Sequence, residues 1–575
     1  MKNRPLTLEH AIYALALAIA IGLRFIHLGV LSLSDFEASW ALQALRVVQG
    51  LRPAIGTNPA YVHLTASLFF LFGGSDFLAR FWPALAGCVL VMAPWLLRKR
   101  LGRLPAIVLA FGLAIDPGLV AMSHLAGGPM LAITFLVLTG LMWLEGRGAA
   151  VGFFAGLALL SGPSIWFGLL GLVLAWALST VIKKALPSPA IVIVDDGQGF
   201  SYNEAAQKIN IRKALAWGSG TLLILGSLFI LSPQGLSAFV MSFVESLRGW
   251  WILSDVSLWR LLLSLPAYEI LPLGFGIAGA VRGIIKRERL SIHLSIWALA
   301  ALVLALIYPG KQTGDLTWVL LPLWALTGLE LGRHFDLKGR NPWELGGVFT
   351  LVVTLVIFGW LDLAGVTSMD LGSEQARMRL YLLIAVFVLI GLSLLLAGAG
   401  WSPAIARLGG VWGGVMVLGL FTLAMSTGAA GLREPLTVEL WQPEPRTGRV
   451  DVLLKVANQI SDLNRGYNNQ LPLTILAVDS PALHWLFRDW LVQDVIALTP
   501  DSNPELVISS IGELNLAADY RGEALPLNEV ADWSHATPSN WLKWFIYRQM
   551  PILHEEVILW VRSDLMLDSQ GLPNP

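Results

Sequence analysis

Long runs of apolar residues recur along most of the 575-residue chain, separated by short polar connections. A helix that crosses the hydrocarbon core of a bilayer needs about 20 apolar residues, so each run of about this length predicts a membrane span. Thirteen spans are predicted, at 9–29, 77–97, 104–122, 127–144, 149–163, 165–182, 214–233, 258–281, 291–308, 315–332, 345–364, 379–399 and 404–427. The pattern therefore predicts a polytopic α-helical membrane protein whose membrane domain occupies residues 1–430.

The pattern changes after residue 430, where shorter apolar runs alternate with amphipathic segments. It predicts helices at 450–463, 481–492 and 538–549, and strands at 473–478, 505–509 and 557–561. Alternating helices and strands are typical of α/β domains. We therefore expect residues 431–575 to form a small α/β domain with a largely parallel sheet.

Composition agrees with a membrane protein. The chain is 55% hydrophobic and 14% charged, with a mean hydropathy of +0.67, whereas soluble proteins carry about 25% charged residues. A single cysteine, Cys88, excludes a disulfide framework, a thiolate zinc site and an iron–sulfur cluster built by this chain alone. The net charge of zero conceals a split, because residues 428–575 carry −9 and the rest +9. An acidic tail argues against nucleic acid as a partner.

Lysine and arginine predict the orientation, since they are enriched in cytoplasmic loops. With the N-terminus in the cytoplasm, 20 of the 29 basic residues outside the tail fall on the cytoplasmic side, among them those of a polar connector at 183–213. An odd number of spans then makes the tail extracytoplasmic. The first run lacks a small-residue cleavage site, so we expect a retained helix in the plasma membrane.

Two outer connections are long enough to contain structure. Residues 30–76 include an apolar stretch, Tyr61–Phe72, that is too short to span, and this predicts a pair of helices lying along the membrane interface. Residues 234–257 combine charged residues with Trp250 and Trp251. They predict a second interfacial element.

The first outer loop carries two carboxylates, in Ser34-Asp35-Phe36-Glu37-Ala38. Charged groups at or near membrane depth are costly and are therefore functional candidates. One carboxylate could act as a general base while the other orients it or binds a metal ion, for which Mg²⁺ or Mn²⁺ would be suited. The alternative is a helix N-cap at Ser34 or Asp35, which the spacing alone favours.

Lys311 and Arg24 are the basic candidates. Lys311 follows Tyr308-Pro309-Gly310 at the outer end of a span, where a lysine can bind a lipid phosphate as a point charge. A snorkelling lysine beside an aromatic anchor is an equally good interpretation. Arg24 lies in the outer third of the first span, where a charge is a functional candidate by default.

A further set of polar and aromatic residues could line a pocket near these groups. They are Asn58, His63, His124, Tyr268 with Glu269, Tyr308 and Trp318. A single histidine or tyrosine at membrane depth is more often a packing residue than a ligand-binding one. Arg488 and Arg548 in the tail are expected to be surface charges.

Several of these residues stand in motifs that resemble glycosyltransferase family 39, which has the GT-C fold and includes protein O-mannosyltransferases and lipid A aminoarabinose transferases. The motifs are Leu23-Arg24-Phe25 with Leu28-Gly29, the acidic pair, Leu71-Phe72-Gly73 with Ala79-Arg80-Phe81, and Tyr308 to Pro322 with Lys311 and Trp318. The tail, with Trp485-Leu486-Phe487-Arg488-Asp489 and Tyr547-Arg548, is similar to the branch called flippase-associated mannosyltransferase-like.

The resemblance implies a GT-C-like enzyme that moves a sugar, of the mannosyl or another hexosyl type, from a polyprenyl-phosphate donor to an acceptor at the outer face. The implied partners are the lipid bilayer, the lipid-linked sugar and an acceptor that is a protein, lipid or glycan, as in protein glycosylation. Glu37 or Asp35 would deprotonate the acceptor. Lys311 would hold the carrier phosphate, assisted electrostatically by Arg24.

Three positions depart from the family pattern. Phe36 separates the two acids that are usually adjacent, the stretch Ser123 to Pro129 lacks the usual carboxylate, and Ser161-Gly162-Pro163 stands where a lysine is common. These departures keep open an alternative, a catalytically silent GT-C-like subunit that binds lipid or partners in an envelope assembly complex. A transporter fits less well, because neither clear internal repeats nor midplane charge pairs are apparent.

Overall fold

The computed structural model describes residues 8–185, 209–335, 341–433, 438–442, 445–448, 450–510 and, apart from 511, 513 and 515, the stretch to 566. Eighteen α-helices precede the tail in these ranges. They are α1 (Leu8–Phe25), α2 (Asp35–Val48), α3 (Pro59–Phe72), α4 (Asp76–Leu101), α5 (Arg103–Ile115), α6 (Pro117–Ser123), α7 (Met130–Leu144), α8 (Gly148–Leu159), α9 (Ser164–Ala185), α10 (Ile211–Gly226), α11 (Gln234–Arg248), α12 (Leu258–Tyr268), α13 (Ile270–Ile285), α14 (Arg289–Ile307), α15 (Thr317–Leu331), α16 (Pro342–Val366), α17 (Glu374–Gly400) and α18 (Pro403–Ala429).

A helix or a bent pair of helices lies at each of the thirteen predicted spans, but not all of them are long enough to cross a membrane. Within the described ranges, seven helices are long and apolar enough to cross a membrane alone, and two bent pairs, α5 with α6 at 53° and α12 with α13 at 87°, raise the number to nine. The other four predicted spans are occupied by α7, α8, α10 and α15, which have 12 to 16 residues. The chain is an integral membrane protein.

The first long connection folds as the predicted pair of helices, α2 and α3. Ser34 caps α2, and Asn58 caps α3 with Pro59 in its first turn, so side-chain oxygens accept backbone N–H groups that a helix start leaves unpaired. The second connection contains α11. The predicted connector at 183–213 falls mostly outside the described residues.

In its described residues, the tail contains three α-helices and a six-stranded sheet. The elements are α19 (Val450–Arg465), α20 (Pro481–Leu486) and α21 (Pro538–Tyr547), with β1 (Arg446–Thr447), β2 (Leu473–Leu476), β3 (Val492–Val495), β4 (Leu506–Ser509), β5 (Tyr520–Ala531) and β6 (Ile552–Arg562). Their order in the sheet is β1-β5-β6-β4-β2-β3. The tail is thus the small α/β domain expected from its sequence.

The expectation of a largely parallel sheet is wrong. Only β2 with β3 and β2 with β4 pair in parallel, whereas β1 with β5, β5 with β6 and β4 with β6 are antiparallel. The antiparallel part was missed because β5 lacks a regular alternation of apolar and polar residues and contains Pro526, where its register with β6 shifts. The predicted helix at 481–492 ends at Leu486, and β3 follows it.

The tail domain packs on one end of the helical bundle. The Thr447 hydroxyl donates to the Leu33 carbonyl at 2.8 Å, and the Trp485 indole donates to Asp76 at 2.6 Å at the start of α4. The tail keeps an apolar core of its own, formed by α19 and the sheet. The candidate residues of the first loop therefore lie where the two domains meet.

Candidate functional site

The acidic pair begins α2, and its local sequence explains its geometry. The Ser34 hydroxyl accepts the Glu37 N–H, and Glu37 in return accepts the Ser34 N–H at 3.2 Å. This reciprocal arrangement is the capping box that Ser-x-x-Glu sequences form. Of the two N-cap candidates in the sequence, Ser34 is therefore the correct one, and Asp35 is the first residue of the helix.

Glu37 is buried against Arg80 of α4. The Arg80 Nε and Nη2 atoms donate to the two carboxylate oxygens of Glu37, both at 2.7 Å, and the Ala126 N–H donates to Oε1 at 3.1 Å. Burial would raise the pKa of Glu37, but the Arg80 guanidinium and the hydrogen bonds outweigh burial and hold that pKa below its ordinary value. Glu37 is thus a tightly held anion.

Asp35 turns instead toward the tail. Its Oδ1 atom accepts the Ser480 hydroxyl at 2.6 Å and the Ala482 N–H at 2.8 Å, at the first turn of α20. A carboxylate at this position complements the unpaired N–H groups of a helix start. The two acids, which are two positions apart in sequence, therefore serve different partners.

The arrangement does not suit the divalent cation that the sequence led us to consider. Glu37 faces a cation and Asp35 faces the tail, so their oxygens do not converge on one point. In the described parts of the chain, no group of three or more His, Cys, Asp or Glu side chains is placed to hold a metal ion.

Arg24 is fully buried and lies apart from the acidic pair. Its guanidinium donates to the Leu113 and Ala114 carbonyls, both at 2.9 Å, and to the Ser123 hydroxyl at 3.2 Å. These acceptors flank the bend between α5 and α6. Arg24 therefore links the two helices of a bent pair. Its guanidinium is fully buried and is not accessible to a phosphate, contrary to the sequence-based expectation.

A short connection, residues 124–129, contacts several of the candidate site residues. Its Ala126 N–H bonds to Glu37, its Gly127 carbonyl accepts the Asn58 amide at 3.2 Å, and the His124 ring contacts the Leu23 carbonyl at 2.9 Å. Gly127 has φ +75°, and a Cβ there would lie 2.4 Å from the Trp40 ring. The connection therefore sits close against α2, and Asn58 and His124 position it.

The loop that carries Lys311 lies against the end of this connection. Gly314, three residues after Lys311, packs against Pro129. A Cβ added at Gly314 would lie 3.1 Å from the Pro129 ring. Lys311 is partly exposed, and its ammonium makes no hydrogen bond or ion pair with the residues that the structure describes. It is thus an available cation at the same end of the bundle as the acidic pair.

Tyr308 and Trp318 flank the Lys311 loop and pack on α9 and α11. The Tyr308 hydroxyl donates to the Ser246 carbonyl at 2.9 Å, and the Trp318 indole donates to Ser164 at 3.1 Å. These contacts fix the loop on both sides.

His63 and Tyr268 lie elsewhere. His63 contacts the Leu225 carbonyl at 2.9 Å, on α10. Tyr268 donates to Glu439 at 2.6 Å at the bend between α12 and α13, and the adjacent Glu269 accepts the Gly118 N–H at 3.3 Å. The predicted pocket residues therefore do not form one site.

The expectation that Arg488 and Arg548 are surface charges is wrong for Arg548, whereas Arg488 is partly exposed. Arg548 is buried, and its guanidinium lies 4.2 Å from the ring centroid of Tyr268 and 4.4 Å from that of Trp544. Arg488 is partly buried over Trp485 at 4.6 Å. Arg548 joins the tail to the membrane domain through the Tyr268 ring, and Arg488 does so by donating to the Gly74 carbonyl at 3.3 Å.

Sequence reasoning gave no role to two arginines of the site, Arg80 and Arg446. Arg80 lies in the first turns of a predicted span, so the rule that flags charges at membrane depth would have found it. Arg446 follows a proline in the connection to the tail, and no sequence signal marks it. Both lie near Glu37.

Two solved structures match nearly the full length of the chain. They are ArnT from Cupriavidus metallidurans bound to undecaprenyl phosphate, at 16% identity and TM-score 0.55, and the same protein in the apo state, at 16% and 0.54; each match covers 97% of this chain and 99% of that one. The Archaeoglobus fulgidus oligosaccharyltransferase also matches, at 16% identity over 70% of this chain and 53% of that one, but its TM-score of 0.33 is too low to support an argument. No family model and no curated protein matches the sequence. The chain thus has the GT-C fold of ArnT.

Proposed function

We propose that this protein is a membrane glycosyltransferase that moves a sugar from a polyprenyl phosphate to an acceptor. The observation that carries the proposal is the end-to-end similarity of fold to ArnT, which was crystallised with undecaprenyl phosphate. The distribution of basic residues supports an orientation with the N-terminus in the cytoplasm and the tail outside. The reaction would then take place at the outer face, where the tail covers the bundle.

Asp35 is the better of the two carboxylates for the general base. Glu37 is committed to Arg80 through both oxygens, whereas Asp35 uses only Oδ1 among the described contacts. In the proposed reaction, Asp35 takes the proton of the acceptor hydroxyl as that oxygen attacks the anomeric carbon. The bond between that carbon and the phosphate oxygen breaks, the anomeric centre inverts, and polyprenyl phosphate leaves.

Lys311 would stabilise the leaving phosphate. Its ammonium is partly exposed and unpaired in the described structure, so it can approach an anion without first breaking a contact. Negative charge on the bridging oxygen grows as the glycosidic bond breaks, and a cation close to that oxygen lowers the barrier. A mannosyl or related hexosyl donor is the finer proposal, which rests on the family resemblance of the sequence.

The proposal is tested with protein in lipid nanodiscs and a panel of undecaprenyl-phosphate sugars. Release of free undecaprenyl phosphate is measured for wild type, Asp35→Asn and Lys311→Gln. The matched controls are Asp451→Asn and Lys543→Gln, which alter exposed residues of the tail. We expect both site variants to lose at least tenfold in rate and the controls to match wild type.

If no undecaprenyl phosphate is released, a parallel measurement of donor binding decides the interpretation. Release that is unaffected by Asp35→Asn would overturn the assignment of the base. Donor binding without release of undecaprenyl phosphate, whichever acceptor mixture is added, would overturn the assignment as a transferase. The protein would then be a lipid-binding protein.

One observation favours a second function, a catalytically silent subunit that binds lipid or partner proteins in an envelope assembly. Both carboxylates of the first loop are engaged by the chain itself, Glu37 by Arg80 and Asp35 by Ser480 and Ala482. A silent subunit would tolerate Asp35→Asn in a cell while requiring the tail for assembly. The two functions are therefore separated by comparing Asp35→Asn with a chain that lacks residues 440–575.

A further inference from the structure

Arg446 occupies the seam between the tail and the first outer loop. It lies on β1, opposite Glu529 of β5, and the next residue, Thr447, bonds to the Leu33 carbonyl. The Arg80 guanidinium donates to the same loop, at the Leu31 carbonyl (2.6 Å) and the Ser32 carbonyl (3.2 Å). Strand pairing and this loop therefore hold the Arg446 backbone from both sides.

The Arg446 side chain lacks an acceptor for part of its guanidinium. Its Nη1 atom is buried and has no hydrogen-bond partner among the residues that the structure describes. A buried N–H group of a cation that loses water without gaining an acceptor is destabilising.

The charged residues around Arg446 do not compensate for this missing hydrogen bond. Arg80 acts on it most strongly, followed by Glu37, Glu439 and Glu529. Glu37 is held by Arg80, and Glu439 is held by Arg433 at 2.9 Å and by Tyr268. Burial, and then the proximity of Arg80, lower the pKa of Arg446 to about 10. Arg446 therefore lies beside a second cation, Arg80, while two of the three nearby carboxylates are engaged by other residues.

We propose that Arg446 binds a phosphate group at this seam, through the Nη1 atom that is unpaired within the chain. A phosphate oxygen supplies the missing acceptor, and its negative charge offsets the repulsion between Arg446 and Arg80. A guanidinium suits this ligand because its planar set of N–H groups can bond to two phosphate oxygens at once.

This inference rests on the proposed function, and it identifies the tail as part of the substrate site. Lys311 comes from the membrane domain and Arg446 from the tail, so phosphate recognition requires both domains. The phosphate belongs either to a lipid-linked substrate or to a free anion, and the experiment below distinguishes these sources.

The test measures thermal unfolding of the full chain in phosphatidylcholine nanodiscs, whose lipids carry no net charge. Undecaprenyl phosphate and inorganic phosphate are added separately at matched ionic strength. The variants are Arg446→Gln and Arg446→Lys, and the control is Arg521→Gln, an exposed arginine of β5.

We expect undecaprenyl phosphate to raise the unfolding temperature of wild type and of Arg521→Gln. Arg446→Gln loses this increase, with a fall in affinity of about tenfold to a hundredfold, the size expected for one charge-assisted hydrogen bond. Arg446→Lys keeps part of it. Without ligand, Arg446→Gln is at least as stable as wild type, because the buried Nη1 group that lacks an acceptor is gone. An increase with inorganic phosphate as well would identify the phosphate group alone as sufficient.

An equal increase in wild type and Arg446→Gln, or no increase with either anion in wild type, would overturn the inference. Its failure is distinguishable from failure of the proposed function. Transfer that depends on Asp35 and Lys311 but not on Arg446 rejects the phosphate site and keeps the enzyme. Arg446-dependent binding without any transfer rejects the enzyme and keeps the site.

Discussion

Asp35 accepts a hydrogen bond of 2.6 Å from the hydroxyl of Ser480, although 445 residues separate the two in sequence. The bond joins the start of α2 to the start of α20, so the residue best placed to act as a base also anchors the tail. Substrate access to Asp35 and the docking of the tail are therefore linked.

Ser480→Ala tests this link. Loss of the hydroxyl removes its bond to Asp35 and its cap on the Leu483 N–H, which should cost about 1 kcal/mol of local stability. We expect faster hydrogen exchange at α20, measured by mass spectrometry. Transfer should persist, because Asp35 keeps its carboxylate. Ser534→Ala, at an exposed turn of the tail, is the control; exchange at α20 that is equal in the two variants would contradict the link.

The buried pair of Glu37 and Arg80 predicts a second result. Removing one partner leaves the other charged and unpaired in the interior, which costs about 3–5 kcal/mol. Glu37→Gln and Arg80→Gln should each lower the unfolding temperature in nanodiscs strongly. The double variant should be more stable than the sum of the single effects predicts, because it leaves no lone charge. Additive effects would mean that the two side chains do not interact.

The lowered pKa of Glu37 predicts how stability depends on pH. In the unfolded chain Glu37 titrates near its ordinary value of 4.5, and in the folded chain it stays ionised to lower pH. The unfolded state therefore binds the proton first, and the stabilisation by Glu37, which is complete above this value, is lost as pH falls below it. Unfolding temperatures measured from neutral to acidic pH should fall less steeply in Glu37→Gln than in wild type. Parallel curves would exclude this contribution.

Arg548 predicts an order of stability among substitutions. It ends α21 in the left-handed conformation, with φ 54°, which is unfavourable for residues other than glycine. Arg548→Ala loses the cation between Tyr268 and Trp544 and retains the strain, whereas Arg548→Gly loses the cation and relieves it. We expect both variants to loosen the tail, seen as faster proteolysis, with Arg548→Gly more stable than Arg548→Ala by about 1 kcal/mol. Arg521→Ala should behave as wild type.

The sequence predicts the membrane helices well because each depends on a local run of apolar residues. It also places the acidic pair at the start of a helix, since Ser34 and Glu37 cap that helix within one turn. The partners of the charged residues come from far away in the chain, as Arg80 does for Glu37, and no local pattern encodes them. Arg548 illustrates the limit, because an arginine at the end of an amphipathic helix is expected on the surface unless the rings that enclose it are known.

The same limit applies to the tail sheet. Apolar runs identify β2, β4 and β6, but strand direction depends on which strands become neighbours. β5 lacks such a run and pairs along most of its length with β6, across the inserted helix α21. The topology of the sheet is therefore set by contacts that only the folded chain reveals.

The position of β6 has a consequence for biosynthesis. It lies between β5 and β4, so it joins two halves of the sheet that otherwise have no strand in common, yet it is the last of the six to leave the ribosome. Until β6 has been synthesised, the edges of β5 and β4 that it later covers have unpaired backbone N–H and C=O groups. A ribosome stalled after α21 would expose two incomplete half-sheets beside the membrane, and factors that act on nascent chains would meet the tail in that form.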